Sequence, residues 1–245
     1  LLAAGADPNT PLMSGETPLM EAARRGNLAT VRALLASKAN PNARESNGGQ
    51  NALMWAVSQR QSAAVEALLE GGADVHAGSK TGFTPLMFAT QQGDEETARI
   101  LLRAGAKPND AQPKTALTPL MIASAMAHAE VVDLLLENGA NPDLVDTNGY
   151  SSLHRVVRDS DYGINPASKD AVLTIVKSLL EHGANPNIRL SQDKEKAAEE
   201  IKNGNVQTYE KRTAVTVNEI ILQGATPIFL AAEVNNLAAI KGTLP

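Results

Sequence analysis

The sequence predicts an all-α fold, a solenoid of stacked helix-turn-helix repeats with projecting loops, because two blocks recur in phase. The first block is Leu-Leu-x-x-x-Ala, and its successive alanines lie 33, 34, 33, 34 and 44 residues apart. The second block is Thr-Pro-Leu-Met or a close variant of it. Two blocks locked to one period indicate units that each bury an apolar face against a neighbour. The alanines are Ala6, Ala39, Ala73, Ala106, Ala140 and Ala184, and the second block begins at Thr17, Asn51, Thr84, Thr118, Ser151 and Thr226.

The second block predicts the start of a short helix. Thr17 is a favourable N-cap residue, and Pro18 follows it at the first helical position, where a missing N–H removes no hydrogen bond. Leu19, Ala22 and Ala23 then fall on one face of the helix. We therefore expect the first helix of each repeat to bury this face.

A second helix follows in each repeat. Val31, Leu34 and Leu35 give it an apolar stripe at helical spacing. The turn between the two helices carries Gly in some repeats and Arg60 or Ala127 in others, where we expect either the same left-handed backbone or an altered turn. In four repeats the second helix is expected to end at a glycine that also adopts the left-handed conformation. These glycines are Gly72, Gly105, Gly139 and Gly183.

The combined pattern resembles the ankyrin repeat. It reads Gly-x-Thr-Pro-Leu-x-x-Ala-Ala-x-x-Gly-Asn, then Val-x-x-Leu-Leu, then Gly-Ala-Asp-Pro-Asn, over residues 1–187 and again at 224–245. In the family a His after Thr-Pro-Leu hydrogen-bonds between neighbouring loops, and only His154 retains it here. The resemblance therefore implies an apolar loop network in this chain. The residues that replace the His are Met20, Met54, Met87, Met121 and Phe229.

The repeat pattern predicts a single array over residues 1–245, truncated inside its last repeat and drawn from a longer array. An 11-residue excess at about 159–169 separates the helices of one repeat, and a longer loop insertion covers about 188–225. Within that insertion we expect a charged helix over 193–203 and a hairpin over 213–222. The predicted units are a partial repeat 1–9, full repeats at about 10–43, 44–77, 78–110, 111–144 and 145–188, and a final repeat 189–245.

Composition excludes several classes of function. The chain has 22 Lys and Arg against 27 Asp and Glu, a net charge of −5, so it lacks the basic surface that nucleic-acid binding requires. It has no cysteine, which excludes disulfides and Cys-ligated zinc. No run of 18 apolar residues is present, so we expect no membrane insertion. The four histidines lie 52, 26 and 28 residues apart, which is not the spacing of metal ligands on one helix. We therefore predict no catalytic, cofactor-binding or metal-binding residues and no cofactor.

The resemblance implies a concave groove as the binding surface. Its lining comes from the residue before the Thr-Pro block, the residue two after the Leu of that block, and the pair before the inter-helix turn. Four of the seven aromatic residues occupy these positions. For Trp55 and Phe88 a packing role and an exposed role are equally supported, whereas we expect Phe83 and Tyr150 to be exposed. The candidate residues are Gln50, Trp55, Gln59, Phe83, Phe88, Gln91, Gln92, Leu117, Ile122, Met126, Tyr150, Arg155 and Arg158.

The function that fits these observations is a non-catalytic protein–protein interaction module. The expected partner is a protein or peptide segment with apolar anchors and an acidic end, and the chain is expected to be monomeric or part of a larger protein. Two alternatives stay open. One is an accessory, ligand-binding or enzymatic role carried by the insertions at 159–169 and 188–225, and the other is a structural spacer. The loops and the long insertion also resemble those of bacterial, often exported, ankyrin proteins.

Overall fold

The computed structural model describes residues 5–161, 169–186 and 188. These residues form ten helices in five consecutive pairs, which we number as repeats 1 to 5, and they contain no strand, so the predicted all-α solenoid is confirmed. The odd-numbered inner helices pack against one another in one row, and the even-numbered outer helices pack in a second row. The helices are α1 Pro18–Arg24, α2 Leu28–Ala36, α3 Ala52–Ser58, α4 Ser62–Glu70, α5 Pro85–Gln92, α6 Glu95–Arg103, α7 Pro119–Ala125, α8 Ala129–Glu137, α9 Ser152–Asp161 and α10 Lys169–Glu181.

The inner helices α1, α3, α5 and α7 begin where the sequence predicts, each at a side-chain cap. Thr17 Oγ1 accepts the backbone N–H of Met20 at 3.3 Å. Asn51 Oδ1 accepts the N–H of Met54 at 3.0 Å in repeat 2, where Ala52 replaces the proline. Each cap satisfies one of the N–H groups that a helix start leaves without a partner and stabilises the helix by about 1 kcal/mol. Thr84 and Thr118 cap α5 and α7 in the same way.

The turn between the two helices of a repeat requires a left-handed residue whatever its side chain. Gly26 and Gly93 both have φ 66° at this position. Arg60 and Ala127 occupy it with φ 54° and 55°, so the expectation for these two residues is confirmed. A Cβ on Gly93 would lie 2.6 Å from Nδ1 of His128. The side chain of His128 therefore leaves room only for glycine in repeat 3.

The core is built from leucine, alanine, valine and methionine contributed by every repeat. In repeats 1 to 4 the last residue of the Thr-Pro-Leu-Met block or its variant, which we call the capping block, is a methionine. This methionine is fully buried. Burying a side chain of this size stabilises the fold by about 1.5–3 kcal/mol, so the methionines are core residues and not loop residues. They are Met20, Met54, Met87 and Met121.

The fifth repeat absorbs part of its insertion as helix. Helix α9 has 10 residues, whereas the inner helices of repeats 1 to 4 have 7 or 8, and α10 has 13, whereas the outer helices of those repeats have 9. The excess that the sequence places between the two helices therefore lengthens both of them. Residues 162–168 and 189–245 lie outside the described residues, and so do the predicted helix over 193–203 and hairpin over 213–222.

Candidate functional site

The projecting loops are joined to one another by hydrogen bonds. In each bond a donor in one loop binds a carbonyl in the loop of the preceding repeat, and most of these bonds use only backbone atoms. The expectation of an apolar loop network is therefore wrong, because the connection does not depend on which side chain follows the Thr-Pro block. The bonds run from Ser46 N–H to the Ser14 carbonyl (2.8 Å), Lys80 N–H to Gly48 (2.7 Å), Thr147 N–H to Thr115 (3.0 Å) and Gln112 Nε2 to the Thr81 carbonyl (2.9 Å).

Methionine also retains part of the function of the missing histidine. His154 Nδ1 accepts the backbone N–H of Ser151 at 3.2 Å and lies 2.8 Å from its hydroxyl. In repeat 1 the sulfur of Met20 accepts the N–H of Thr17 at 3.5 Å. A thioether is a weak acceptor, so this contact supports the cap less strongly than the imidazole does.

A buried carboxylate fixes the loop of repeat 2. Glu45 accepts the backbone N–H groups of Gly48 and Gln50, each at 2.8 Å, and that of Asn47. Burial raises the pKa of Glu45, but these N–H groups and the charge of Lys80 outweigh it and hold the pKa below its usual value. The loop edge of the candidate surface is therefore held in one conformation.

Two of the predicted groove aromatics form the floor of the surface. Trp55 and Phe88 are half-buried and pack against the core cluster of the inner helices. Ile122, at the same position in repeat 4, is 7% exposed and belongs to the core. The inner-helix position two after the leucine therefore serves mainly as a packing spacer.

The residue that precedes the capping block has a partly exposed apolar side chain in repeats 3 to 5. Phe83 is half-buried, and its ring meets that of Phe88 edge to face at 5.5 Å between centroids. Leu117 and Tyr150 are half-buried in the same position of repeats 4 and 5. Phe83, Leu117 and Tyr150 therefore form a row of partly exposed apolar side chains along the edge of the inner helices.

The side chain of Arg155 makes contacts within the protein and is largely buried. It pairs with Asp146, whose side chain is 1% exposed, and its own side chain is 16% exposed. The guanidinium lies 5.7 Å from the centroid of the Tyr150 ring, which also meets His154 edge to face at 6.0 Å. The charge expected at this end of the groove is thus neutralised by a carboxylate nine residues earlier. The side chain of Arg158 lies outside the described residues.

The glutamines divide into bridging and exposed residues. Gln92 donates from Nε2 to the Ser58 carbonyl at 3.0 Å and accepts from Arg60, so it ties repeat 3 to repeat 2. Gln59 and Gln91 are exposed at the ends of the inner helices. Gln50, which precedes the N-cap of α3, and Met126, the C-cap residue of α7, are half-buried.

The sequence-based selection missed the residues of repeat 1. Besides Glu16, the same positions hold Glu21, Arg24 and Arg25, and the guanidinium of Arg24 lies 5.8 Å from the centroid of the Trp55 ring. Arg24 reaches Glu21 with Nε at 2.9 Å and with Nη2 at 3.0 Å. Hydrogen bonds from Arg25 and Arg24 hold the pKa of Glu21 below its usual value. Extending the positional rule one repeat toward the N-terminus would have found all three.

The other kinds of site considered from the sequence are a metal site, a membrane-spanning helix and a site carried by the insertions. In the described part of the chain, no group of three or more His, Cys, Asp or Glu side chains is placed to hold a metal ion. No helix among the described residues combines the length and apolarity needed to cross a bilayer. The insertions proposed to carry a ligand or enzymatic site lie mostly in 162–168 and 189–225, outside the described residues.

A family model of ankyrin repeats in three copies matches residues 1–79 and 86–190. These segments make up about three quarters of the chain. The chain belongs to the ankyrin repeat family. Ankyrin repeats are in general protein–protein interaction modules and form a non-catalytic interaction fold.

Among solved structures, this ankyrin repeat protein is similar to the ankyrin repeat domain of Bcl-3, described as a unique member of the IkappaB protein family. The match has a TM-score of 0.67 and 27% sequence identity, and it covers 78% of this chain and 80% of that chain. A search of curated proteins gives no match.

Proposed function

We propose that this ankyrin repeat protein binds a peptide or protein segment along its inner-helix face, across repeats 2 to 5, without chemistry of its own. The observation that carries the proposal is the row formed by Phe83, Leu117 and Tyr150. None of the three is a buried core residue, yet each occupies the same position in successive repeats. An apolar row repeated at a partly exposed position is typical of a surface that a partner covers.

The surroundings of this row support the same function. Trp55 and Phe88 lie beneath the surface and hold its floor in place. Gln59 and Gln91 are exposed at the C-terminal ends of their inner helices, on the other side of this floor from the row, and offer both donors and acceptors. An apolar centre with a polar edge is the usual anatomy of a recognition surface. A segment bound there would place apolar side chains over the centre and backbone groups beside the glutamines.

A structural spacer is the alternative that uses the same fold. A spacer needs only the contacts between repeats, and those contacts are made by core residues and loop hydrogen bonds. A spacer does not require the partly exposed apolar side chains of Phe83, Leu117 and Tyr150. Binding that depends on these side chains therefore separates the two functions.

The test uses a display library of random peptides selected on the folded protein, followed by affinity measurements on synthetic copies of the enriched peptides. Replacing Phe83 and Tyr150 together by Ala should cost about 2 kcal/mol or more of binding free energy. The melting temperature should change little, since neither side chain is in the core. Glu66→Ala and Lys177→Ala, at exposed positions of the outer helices, are the matched controls. Unchanged affinity with a lowered melting temperature would show that the aromatics are packing residues.

A further inference from the structure

The positive charge of the inner-helix face is concentrated at the repeat 1 end. Arg24 ends α1 and Arg25 is its C-cap residue, with side chains 49% and 71% exposed. Arg60 occupies the turn after α3 and is also exposed. The three guanidiniums thus lie at the C-terminal ends of two neighbouring inner helices, where the helix dipole favours cations.

Only one carboxylate on these helices balances them. Glu21 binds both Arg24 and Arg25, and the sequences of α3 and α5 contain no acidic residue. At the C-terminal ends of α1 and α3, three guanidiniums stand against this one carboxylate, an excess of two positive charges. Glu16 precedes α1 at its opposite end, and at the start of α6 Asp94 caps the helix and Glu95 pairs with Arg99. The excess stands out because the chain as a whole carries a net charge of −5.

The same contacts fix two of these arginines in place. Arg24 is held between Glu21 and the face of Trp55, and Arg60 donates to the backbone carbonyl of Gln92. Arg25 contacts Glu21 through Nε, so its terminal nitrogens keep donors for a second acceptor. An ordered guanidinium next to an aromatic surface loses little entropy when it binds a carboxylate in bidentate geometry.

We propose that acidic side chains of the bound segment are recognised at this repeat 1 end, by Arg25 and Arg60 beside Arg24. The inference rests on the proposed function and reverses the polarity that the sequence implies, because Arg155 at the other end is already paired with Asp146. The partner is thus a segment whose apolar anchors cover Phe83 and Leu117 and whose acidic residues extend toward α1.

The spacing of the repeats sets the distance between anchor and acid. Neighbouring helices lie about 8–10 Å apart, so across the row of helices Arg25 is two repeats, about 16–20 Å, from Phe83, and Arg60 is one repeat, about 8–10 Å, from it. An extended peptide rises by about 3.3 Å per residue and spans the longer distance in about five or six residues and the shorter in about three. We therefore expect one or more Asp or Glu about three to six positions from the apolar anchor.

The test uses the peptides enriched from the same random library. Arg25→Glu with Arg60→Glu should lower the affinity of the enriched peptides by about tenfold or more, and added salt should narrow the difference. The matched control is Arg32→Glu with Arg103→Glu, which makes the same charge change at exposed outer-helix positions and should leave affinity nearly unchanged. Replacing the peptide's Asp or Glu by Asn or Gln should weaken binding to the parent protein and leave binding to the double Glu variant almost unaffected.

The outcomes separate this inference from the proposed function. Arg60 also contacts Gln92, so Arg25→Gln is tested alone and melting curves accompany every variant. In one outcome the enriched peptides contain no acidic residue and bind the Arg variants as tightly as the parent, yet bind less tightly after replacement of Phe83 and Tyr150. That result would overturn the inference and leave the proposed function standing. If the affinity is unchanged in both sets of variants, or if the library gives no enriched peptide, both the inference and the proposed function are wrong.

Discussion

The side-chain oxygen of Asn42 accepts the backbone N–H of Asp74 at 2.8 Å, while its Nδ2 donates to the carbonyl of Gly72 at 3.0 Å. One amide thus satisfies two backbone groups that follow the outer helix of the next repeat. These groups have no partner within the helix, so the asparagine both caps it and joins two repeats. Asn9 bonds in this way to Asn40 and Lys38, and Asn109 bonds to Asn141 and Gly139.

Replacing Asn42 by Ala should lower the free energy of unfolding by about 1–2 kcal/mol, because two hydrogen bonds between repeats are lost at once. Asn47→Ala is the control, since Asn47 is an exposed loop residue that contributes its backbone N–H to the loop. Urea denaturation of both variants measures the difference. Equal midpoints for the two would show that the amide bridge adds nothing to stability.

His76 occupies the asparagine position in repeat 2. Its Nδ1 lies 3.8 Å from Oδ2 of Asp110, a longer contact than the bonds of the asparagines. His76→Asn should restore the bridge, by donating to the carbonyl of Gly105 and accepting the N–H of Lys107, and raise the free energy of unfolding by about 1 kcal/mol. A lower urea midpoint for this variant would mean that the imidazole makes the better junction.

Ala127 adopts a left-handed backbone in which a Cβ is unfavourable. Ala127→Gly should therefore raise the free energy of unfolding by about 1 kcal/mol, although glycine is usually destabilising. The matched control is Ala129→Gly, at the first residue of α8, which should be neutral or destabilising. Thermal denaturation compares the two, and the prediction fails if both substitutions lower the melting temperature.

The depressed pKa of Glu45 predicts a dependence of stability on pH. A carboxyl with a lower pKa in the folded state than in the unfolded state stabilises the fold above about pH 4.5, and this contribution is lost as the pH falls through the folded pKa. Glu45→Gln should cost about 1–2 kcal/mol near pH 7, because the N–H groups lose a charged acceptor.

The urea midpoint of the parent should consequently fall more steeply below about pH 5 than that of Glu45→Gln. Glu21 titrates in the same direction in both proteins, so the difference between the two curves isolates Glu45. Parallel curves would show that the carboxylate of Glu45 binds its N–H groups equally well in either protonation state.

The family, the helix pairs and the left-handed turn at Arg60 could be predicted from the sequence because each depends on residues close together in a fixed pattern. The pairing of Arg155 with Asp146 could not, since nothing in the spacing of these two residues shows that their side chains meet. The loop connections were mispredicted for another reason. They use backbone N–H and carbonyl groups, which are present whatever residue follows the Thr-Pro block. The binding role of the apolar row stays a prediction.

One methionine is buried in each of repeats 1 to 4, so the oxidation of these residues reports the local opening of each repeat. Peroxide oxidises accessible thioethers to sulfoxides, so the fully exposed Met13 should react first. Met20, Met54, Met87 and Met121 are sealed in the core and can react only when their own repeat opens. The order in which mass spectrometry finds these sulfoxides would thus rank the local opening of the repeats, with no label added to the chain.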